Sequence, residues 1–281
     1  MTSMEPLQPR DTTPLFQPLL GELIALLRSL EPDMWDRRTV APRWRVRDVA
    51  AHLLDGDLRK LAICRDGHAA PVDGPITSER DIARLVNTLN DGGVQYGLRL
   101  SERLLVDLLE LAGNWIVDYF SALPLSGPAI FAVSWAGEAQ SENWMDLGRE
   151  YTERFHHQMQ IRDAVGRPLL LEPRWMEPLI EFSIRALPRA YEAVDAPDGT
   201  AITLAVRGET HGDWTMLRVG HTWQLRRGRP GASAAVVTCA TDDVWRLFYN
   251  ALSAEAIAER ARVDGDRSLT APLLAARSVI L

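Results

Sequence analysis

The stretch from Trp144 to Pro168, WMDLGREYTERFHHQMQIRDAVGRP, is the part around which the rest of the chain is organised. It predicts one long helix, because apolar residues recur at helical spacing until Gly166-Arg-Pro168, a typical helix end. Within it, Glu153 and His157 are four residues apart, so their side chains lie one above the other. A carboxylate and an imidazole in this arrangement supply two of the three protein ligands of a His₂Glu zinc site.

The third ligand has to come from another helix, and His52 is the best candidate. It lies in the stretch from Trp44 to Asp57, WRVRDVAAHLLDGD, which has the pattern of a second amphipathic helix. Three nitrogen and oxygen ligands suit zinc, and also nickel, cobalt or iron. The sequence therefore predicts a site for one divalent metal ion per chain.

Spacing alone leaves a second interpretation open. Glu153 and His157 lie nearly opposite the apolar stripe of their helix, and His52 lies among charged residues on its own helix. These polar faces are either the solvated sides of two ordinary amphipathic helices or the lining of a cleft. The apolar stripe consists of Trp144, Leu147, Tyr151, Phe155 and Met159.

Both stretches resemble a known family. Glu153 and His157, followed by the helix end Ala164-x-Gly166, are similar to the metal-binding last helix of the DinB/mycothiol-dependent maleylpyruvate isomerase superfamily. The segment around His52 resembles the second-helix motif of that superfamily, whose histidine is the remaining ligand. The resemblance covers most of the chain, since it extends through LND at 89–91 and LSERLLVDLL at 100–109 to VDGD at 263–266.

The resemblance implies a specific chemistry. Members of this superfamily use a metal, typically zinc, to activate a low-molecular-weight thiol such as mycothiol, and the thiolate then isomerises or conjugates a small electrophile. The family is also expected to supply an arginine from the C-terminal domain. Arg226 and Arg227, at the end of a predicted strand, are the candidates, and ordinary surface residues are the alternative. His156 is a candidate for supporting the ligands, whereas the other histidines lack a partner at ligand spacing: His68, His211 and His221.

Composition limits the class of protein. The 281 residues are 46% hydrophobic and 25% charged, with a net charge of −7, so nothing favours nucleic acid or an anionic membrane as a partner. Cys64 and Cys239 lie far apart, which fits a reducing cytoplasm. We expect neither a signal peptide nor a membrane span. We expect a monomer or a homodimer.

The predicted fold class is α+β, mainly α, in two domains. Residues 1–170 are expected to form a DinB-like four-helix bundle, and residues 171–281 a small sterol-carrier-like α+β domain with a mostly antiparallel sheet. The boundary is predicted near residues 168–175, with the active cleft between the domains. The four long helices predicted for the bundle are Thr13–Leu30, Val46–Arg65, Gly93–Ala122 and Glu142–Val165. A short helix at Asp81–Asn90 and a long connection at 66–80 are predicted between the second and third of them.

Two other functional classes remain open at this stage. One is a non-catalytic protein that binds a lipid or another small molecule in the sterol-carrier-like domain. The other is a regulatory or stress-response protein that keeps the metal-binding bundle without catalysis. The combination of His52, Glu153 and His157 favours an enzyme, because a binding protein does not require it.

Overall fold

The computed structural model describes residues 4–69, 71 and 74–279. These residues form two compact units. A helical unit comprises residues 11–130 and 153–169, and a mixed helix and sheet unit comprises the described residues of 1–10, 131–152 and 170–279. The predicted division near residues 168–175 stays a prediction. No helix in the described part of the chain has the length and apolar character that a membrane crossing requires.

The helical unit is built on long helices, as the periodicity predicts. Its core is made mainly of leucine, isoleucine and valine, contributed by the first, second, fourth and fifth of these helices. The second helix continues through a short π-helical segment, Leu61–Arg65, and the last helix ends at Gly166, whose positive φ of 67° suits glycine. The helices are α1 Thr13–Arg28, α2 Val46–Lys60, α3 Glu79–Gly97, α4 Glu102–Ser121 and α5 Asn143–Val165.

Helix α5 is buried on more than its apolar stripe. Of the stripe, Leu147, Tyr151, Phe155 and Met159 are buried as predicted. The opposite side is buried too, because His157 is only 5% exposed and His52, on α2, has the same exposure. The interpretation of these polar faces as ordinary solvated surfaces is therefore wrong for both histidines.

The other unit contains a six-stranded sheet among the described residues, in the order β1-β4-β3-β2-β5-β6. The pairings are antiparallel except between β2 and β5, which run parallel, with Ile202 opposite Ala235. The prediction of a mostly antiparallel sheet is confirmed, and the sheet is mixed. The strands are β1 Glu5–Pro6, β2 Ala201–Arg207, β3 Gly212–Val219, β4 Thr222–Arg227, β5 Ala235–Ala240 and β6 Arg262–Gly265.

Along the chain, helices precede β2 and follow β5 and β6 in this unit. The apolar spacing of Trp175–Ala193 predicts one helix bent at Pro188, but the structure has a 3₁₀ turn at Ile184–Ala186 between two helices. The sequence also favours Thr241 as a helix cap, but Ala240 occupies the cap and the Thr241 hydroxyl donates to the Thr210 carbonyl at 2.7 Å. The helices are α6 Pro173–Ser183, α7 Leu187–Ala190, α8 Thr241–Phe248, α9 Ala254–Arg260 and α10 Arg267–Ala275.

Two further helix starts differ from the sequence prediction. The pair Thr13-Pro14 predicts Thr13 as the cap of α1, but the cap is Thr12, and the Asp11 carboxylate accepts the Thr13 backbone N–H at 2.8 Å. Helix α3 runs on to Gly97, and α4 begins after Ser101, whose hydroxyl accepts the Leu104 N–H. The expected break at residues 91–92 is therefore wrong. Within the predicted connection at 66–80, residues 70, 72 and 73 lie outside the described residues.

The glycines of α3 explain that error, because they serve close packing instead of ending the helix. A Cβ added at Gly93 would lie 2.4 Å from the Asp55 side chain, and one added at Gly97 would lie 2.2 Å from the Cβ of Ala51. Both contacts are with α2, next to His52. Glycine lets the two backbones approach at these positions.

Replacing Gly97 with alanine is expected to lower the free energy of unfolding by about 1–3 kcal/mol, because the new methyl group overlaps Ala51 in a packed helix pair. Gly92→Ala is the matched control, since a Cβ there meets nothing within 4 Å. That control should be neutral or gain about 0.5–1 kcal/mol from helix propensity. Urea denaturation of both variants measures the difference, and equal stabilities would contradict the packing argument.

Candidate metal centre

Three side chains from two helices meet inside the helical unit. His52 lies on α2, and Glu153 and His157 lie one turn apart on α5, as predicted. The Nε2 atoms of His52 and His157 lie 3.0 and 3.2 Å from the same carboxylate oxygen, Oε1 of Glu153. The three donor atoms lie within 4.8 Å of one another, which is a separation that one cation can bridge.

Aromatic rings enclose the two histidines. The ring centroid of Trp44 lies 4.6 Å from that of His52 and 5.6 Å from that of His157. His156 packs against His157 from the other direction, with 4.0 Å between ring centroids. Glu153 is more open, because its side chain keeps 36% of its surface exposed against 7% for each histidine. The group is thus closed on the histidine side and accessible on the carboxylate side.

Gln160 sets the orientation of the His157 ring. Its amide oxygen lies 2.9 Å from Nδ1 of His157, so Nδ1 carries the proton and donates it to this bond. Nε2 of His157 then faces Oε1 of Glu153 at 3.2 Å, with the ring held by the bond behind it. A supporting hydrogen bond of this kind is usual behind metal-binding histidines.

The protonation states also suit a divalent cation. Desolvation opposes ionisation of Glu153, but the attraction of His157 and the hydrogen bonds from His157 and His52 outweigh it, so the pKa of Glu153 lies well below its ordinary value. Burial holds the pKa of His52 below its ordinary value, and the hydrogen bond to Glu153 offsets this only in part. At neutral pH the group therefore offers a carboxylate and a neutral imidazole, the forms that bind metal.

The donor set fits a metal with an open position. The buried Nδ1 of His52 has no hydrogen-bond partner among the described residues, so this ring lacks the supporting bond that Gln160 gives His157, while its Nε2 faces the site. Two imidazoles and one carboxylate are the ligands of His₂Glu zinc sites, which leave the fourth position for water or substrate. No cysteine takes part, so a structural thiolate site is excluded for this group.

The two predicted arginines lie in the other unit, on β4. Arg226 donates from Nη2 to the Gln224 side chain at 2.6 Å. Arg227 is paired with two carboxylates, Glu181 at 2.8 Å and Glu177 at 3.3 Å. Their proposed role at the metal stays a prediction. The remaining histidines outside the group are exposed: His68, His211 and His221.

Sequence reasoning missed two residues of this site. Trp44 belongs to the motif around His52, but no role was assigned to it. Nothing in the sequence predicts which histidine ring its indole packs against. Gln160 had a usable signal, because it follows His157 by three residues and such pairs are neighbours on a helix.

Replacing Gln160 with leucine is expected to weaken zinc binding by about 10–100-fold, because the His157 ring loses the bond that fixes its proton and orientation. Gln158→Leu is the matched control, since Gln158 is a buried glutamine on the same helix that does not contact the metal-binding group. Competition with a chromophoric chelator measures both affinities. A Gln160→Leu variant with the affinity of the control would contradict the role assigned to Gln160.

Comparison with known proteins agrees with this site and fold. Residues 16–107 match the family described as Mycothiol maleylpyruvate isomerase N-terminal domain. That segment includes His52 and ends before Glu153 and His157. No curated protein sequence matches the chain.

Two solved structures share the fold. A mutant form of the mycothiol-dependent maleylpyruvate isomerase matches with a TM-score of 0.55 and 11% identity, over 90% of this chain and 91% of that one. The unmodified isomerase matches with a TM-score of 0.52 and 12% identity, over 84% and 86%. Sterol Carrier Protein 2 Like 2 from Aedes Aegypti has 18% identity over 34% of this chain and 93% of its own, but its TM-score of 0.27 is too low to carry an argument.

The resemblance noted in the sequence is therefore confirmed at the level of superfamily and fold. The assignment of residues 171–281 as a sterol-carrier-like domain stays a prediction. Residues 16–107 match the N-terminal domain model of the mycothiol maleylpyruvate isomerase family, and the chain shares its fold with the mycothiol-dependent maleylpyruvate isomerase.

Proposed function

We propose that this protein is a metal-dependent enzyme that uses a low-molecular-weight thiol, of the maleylpyruvate isomerase type. The observation that carries the proposal is the convergence of His52, Glu153 and His157 in the helical unit. The family match over residues 16–107 and the fold shared with a mycothiol-dependent isomerase support it. Zinc is the proposed metal, and mycothiol or a related thiol is the proposed cosubstrate.

A bound divalent metal lowers the pKa of a coordinated thiol, so that the reactive thiolate exists at neutral pH. In this chain His52, Glu153 and His157 would hold the metal. The Glu153 carboxylate cancels one of its positive charges, which leaves a net charge that still attracts a thiolate. Trp44 and the buried histidines keep water from one side, and the exposed third of Glu153 leaves the other side open to the cosubstrates.

The proposed reaction is attack by the thiolate sulfur on a small electrophile. Addition to an activated double bond forms a C–S bond and a stabilised carbanion, and rotation about the resulting single bond followed by loss of the thiolate yields the isomer. Displacement of a leaving group instead yields an S-conjugate. The proposed partners are thus a thiol and a small electrophile. The two free cysteines fit the proposed cytoplasmic location.

A carboxylated substrate needs a fixed cation, and Arg226 is the better of the two candidates on β4. Arg227 is already neutralised by Glu177 and Glu181. Arg226 donates to a neutral amide, so its charge remains available to an anion. We therefore propose Arg226 as the residue that binds a carboxylate or the thiol's own acidic group.

The proposal is tested with cobalt-loaded protein, because a thiolate bound to cobalt gives a charge-transfer absorption band. Addition of mycothiol should produce this band at neutral pH, and the loaded protein should accelerate thiol-dependent isomerisation of maleylpyruvate or conjugation of a model electrophile. Cobalt-free protein is the control. A loaded protein that gives neither the band nor any thiol-dependent turnover would overturn the proposal in favour of a non-catalytic protein.

A further inference from the structure

We propose that the ion pair between Asp57 and Arg154 is a positioning device, which sets the register of α2 against α5 and so brings His52 to Glu153. The inference rests on the metal site of the proposed function and adds two residues to it. Neither Asp57 nor Arg154 supplies a donor atom to the metal site formed by His52, Glu153 and His157.

The pair joins the same two helices as the metal-binding group. Arg154 follows Glu153 directly on α5, and Asp57 lies five residues after His52 on α2, about 7–8 Å further along the helix axis. Nη2 of Arg154 lies 2.5 Å from Oδ1 of Asp57. The side chains of Arg154 and Asp57 keep only 16% and 7% of their surface exposed, so the ion pair is largely buried and breaking it is costly.

Arg154 is also fixed by the other helices of the unit. Its guanidinium carbon lies 5.2 Å from the ring centroid of Phe120 on α4 and 5.9 Å from that of Phe16 on α1. Arg154 and Asp57 line a cavity of about 20 Å³ whose other walls are mainly apolar, and a space of this size holds about one water molecule. The guanidinium therefore has one strongly preferred position, which fixes the height of α5 in the bundle.

Two separated contacts constrain a helix pair more than one contact does. The apolar core shared by α2 and α5 resists separation of the helices, but its contacts are non-directional and tolerate small sliding or rotation about the His52–Glu153 contact. Each residue of helical slippage moves a side chain by about 1.5 Å along the axis, enough to break hydrogen-bond contacts of 3.0 and 3.2 Å. The buried ion pair prevents such a shift because moving either helix separates its charges.

A purely Coulombic effect and an effect on helix register predict opposite changes in zinc affinity when Arg154 is removed. Arg154 is a cation beside a cation site, so Coulomb repulsion predicts that its removal strengthens metal binding. The register account predicts that its removal weakens binding. For Asp57→Asn both accounts predict weaker binding. Arg154→Met is therefore the decisive variant, and Asp57→Asn, which keeps the shape of the side chain, is the companion.

The experiment measures zinc dissociation constants of the full chain by chelator competition. Arg154→Met and Asp57→Asn should both bind zinc about 10–100-fold more weakly than the unaltered protein. Arg162→Met is the matched control, because Arg162 is a buried arginine on α5 whose ion pair, at 2.7 Å, is with Glu22 on α1 instead of α2. It should lower the melting temperature but change the zinc dissociation constant much less.

A second readout needs no metal. In histidine ¹H–¹⁵N spectra of the metal-free proteins at one pH, the Nε2 signal of His52 reports its contact with Glu153. That signal should move in Arg154→Met and Asp57→Asn and stay unchanged in Arg162→Met. If one variant folds poorly, the signal of the other, folded variant decides the inference. The readout also holds if the unaltered protein binds no zinc and the proposed function fails.

Two outcomes would contradict the register account. Unchanged or tighter zinc binding by Arg154→Met, or a loss no larger than that of Arg162→Met, would overturn the inference. So would an unchanged His52 signal in both Arg154→Met and Asp57→Asn. Zinc binding and thiol chemistry in the unaltered protein would in that case still support the proposed function.

Discussion

Replacing His157 with alanine is expected to abolish zinc binding at physiological concentrations while the fold survives. Structural zinc sites bind with about 10–16 kcal/mol through four protein ligands, so one ligand contributes about 2.5–4 kcal/mol, or roughly a hundred- to a thousandfold in affinity. Here His157 is one of only three protein ligands. Any thiol-dependent activity should be lost with the metal.

The fold should tolerate this change because His157 lies off the apolar stripe of α5. Its loss leaves Oε1 of Gln160 without its partner, which costs about 1–3 kcal/mol of stability. His68→Ala is the control, since His68 is an exposed histidine outside the group. Metal content and thermal melts of both variants provide the test. A His157→Ala protein that keeps its metal would show that the ligand assignment is wrong.

Replacing Phe155 with alanine is expected to give the opposite pattern, with a large loss of stability and an intact metal site. Phe155 is fully buried in the stripe formed with Tyr151 and Met159. Truncation of a buried phenylalanine removes its transfer free energy and leaves a cavity, which costs about 3–5 kcal/mol. The free energy of unfolding from urea denaturation measures the effect.

Leu111→Ala is the control for this second variant, because Leu111 is 47% exposed on α4 and its truncation should change stability by no more than about 0.5 kcal/mol. At temperatures where Phe155→Ala is folded, it should bind zinc as the unaltered protein does. Together the two α5 variants separate metal binding from packing. If both lost metal and stability to the same degree, the division of α5 into a packing stripe and a ligand face would be refuted.

The sequence predicted that Glu153 and His157 lie together because one helical turn separates them, a geometry that does not depend on tertiary structure. It predicted the end of α5 for a similar reason, since Gly166 adopts a positive φ there. His52 joined Glu153 and His157 as a candidate ligand through the resemblance to the superfamily, because spacing alone left the solvated-face interpretation open. The burial of His52 and His157 was not predictable from periodicity. A polar face is the same in sequence whether it meets water or another helix.

Glycine was the main source of error in the bundle. Gly92 and Gly93 suggested a break, but Gly93 and Gly97 face α2, where no larger residue fits. The helix boundary instead lies at Ser101, which caps α4 with its hydroxyl. Whether a glycine ends a helix or lets two helices approach depends on its neighbours in space, and these are absent from the local sequence.

Long-range pairing limited the prediction of the sheet and of the arginines. Alternation predicted the strands well, but the parallel pairing of β2 with β5 depends on a connection through β3 and β4 that alternation does not encode. Arg227 forms an ion pair with Glu181, 46 residues away in the chain, so this pair could not be predicted from the position of Arg227 at the end of a strand. The same holds for Asp57 and Arg154, which are 97 residues apart.

The central claim is that His52, Glu153 and His157 form a site for one divalent metal. Elemental analysis of protein purified without a histidine tag, before and after titration with zinc and removal of excess ion, tests it most directly. The account predicts about one zinc per chain after titration, and none in a variant that lacks all three side chains. Protein that retains no metal, or a triple variant that retains as much as the unaltered chain, would contradict it.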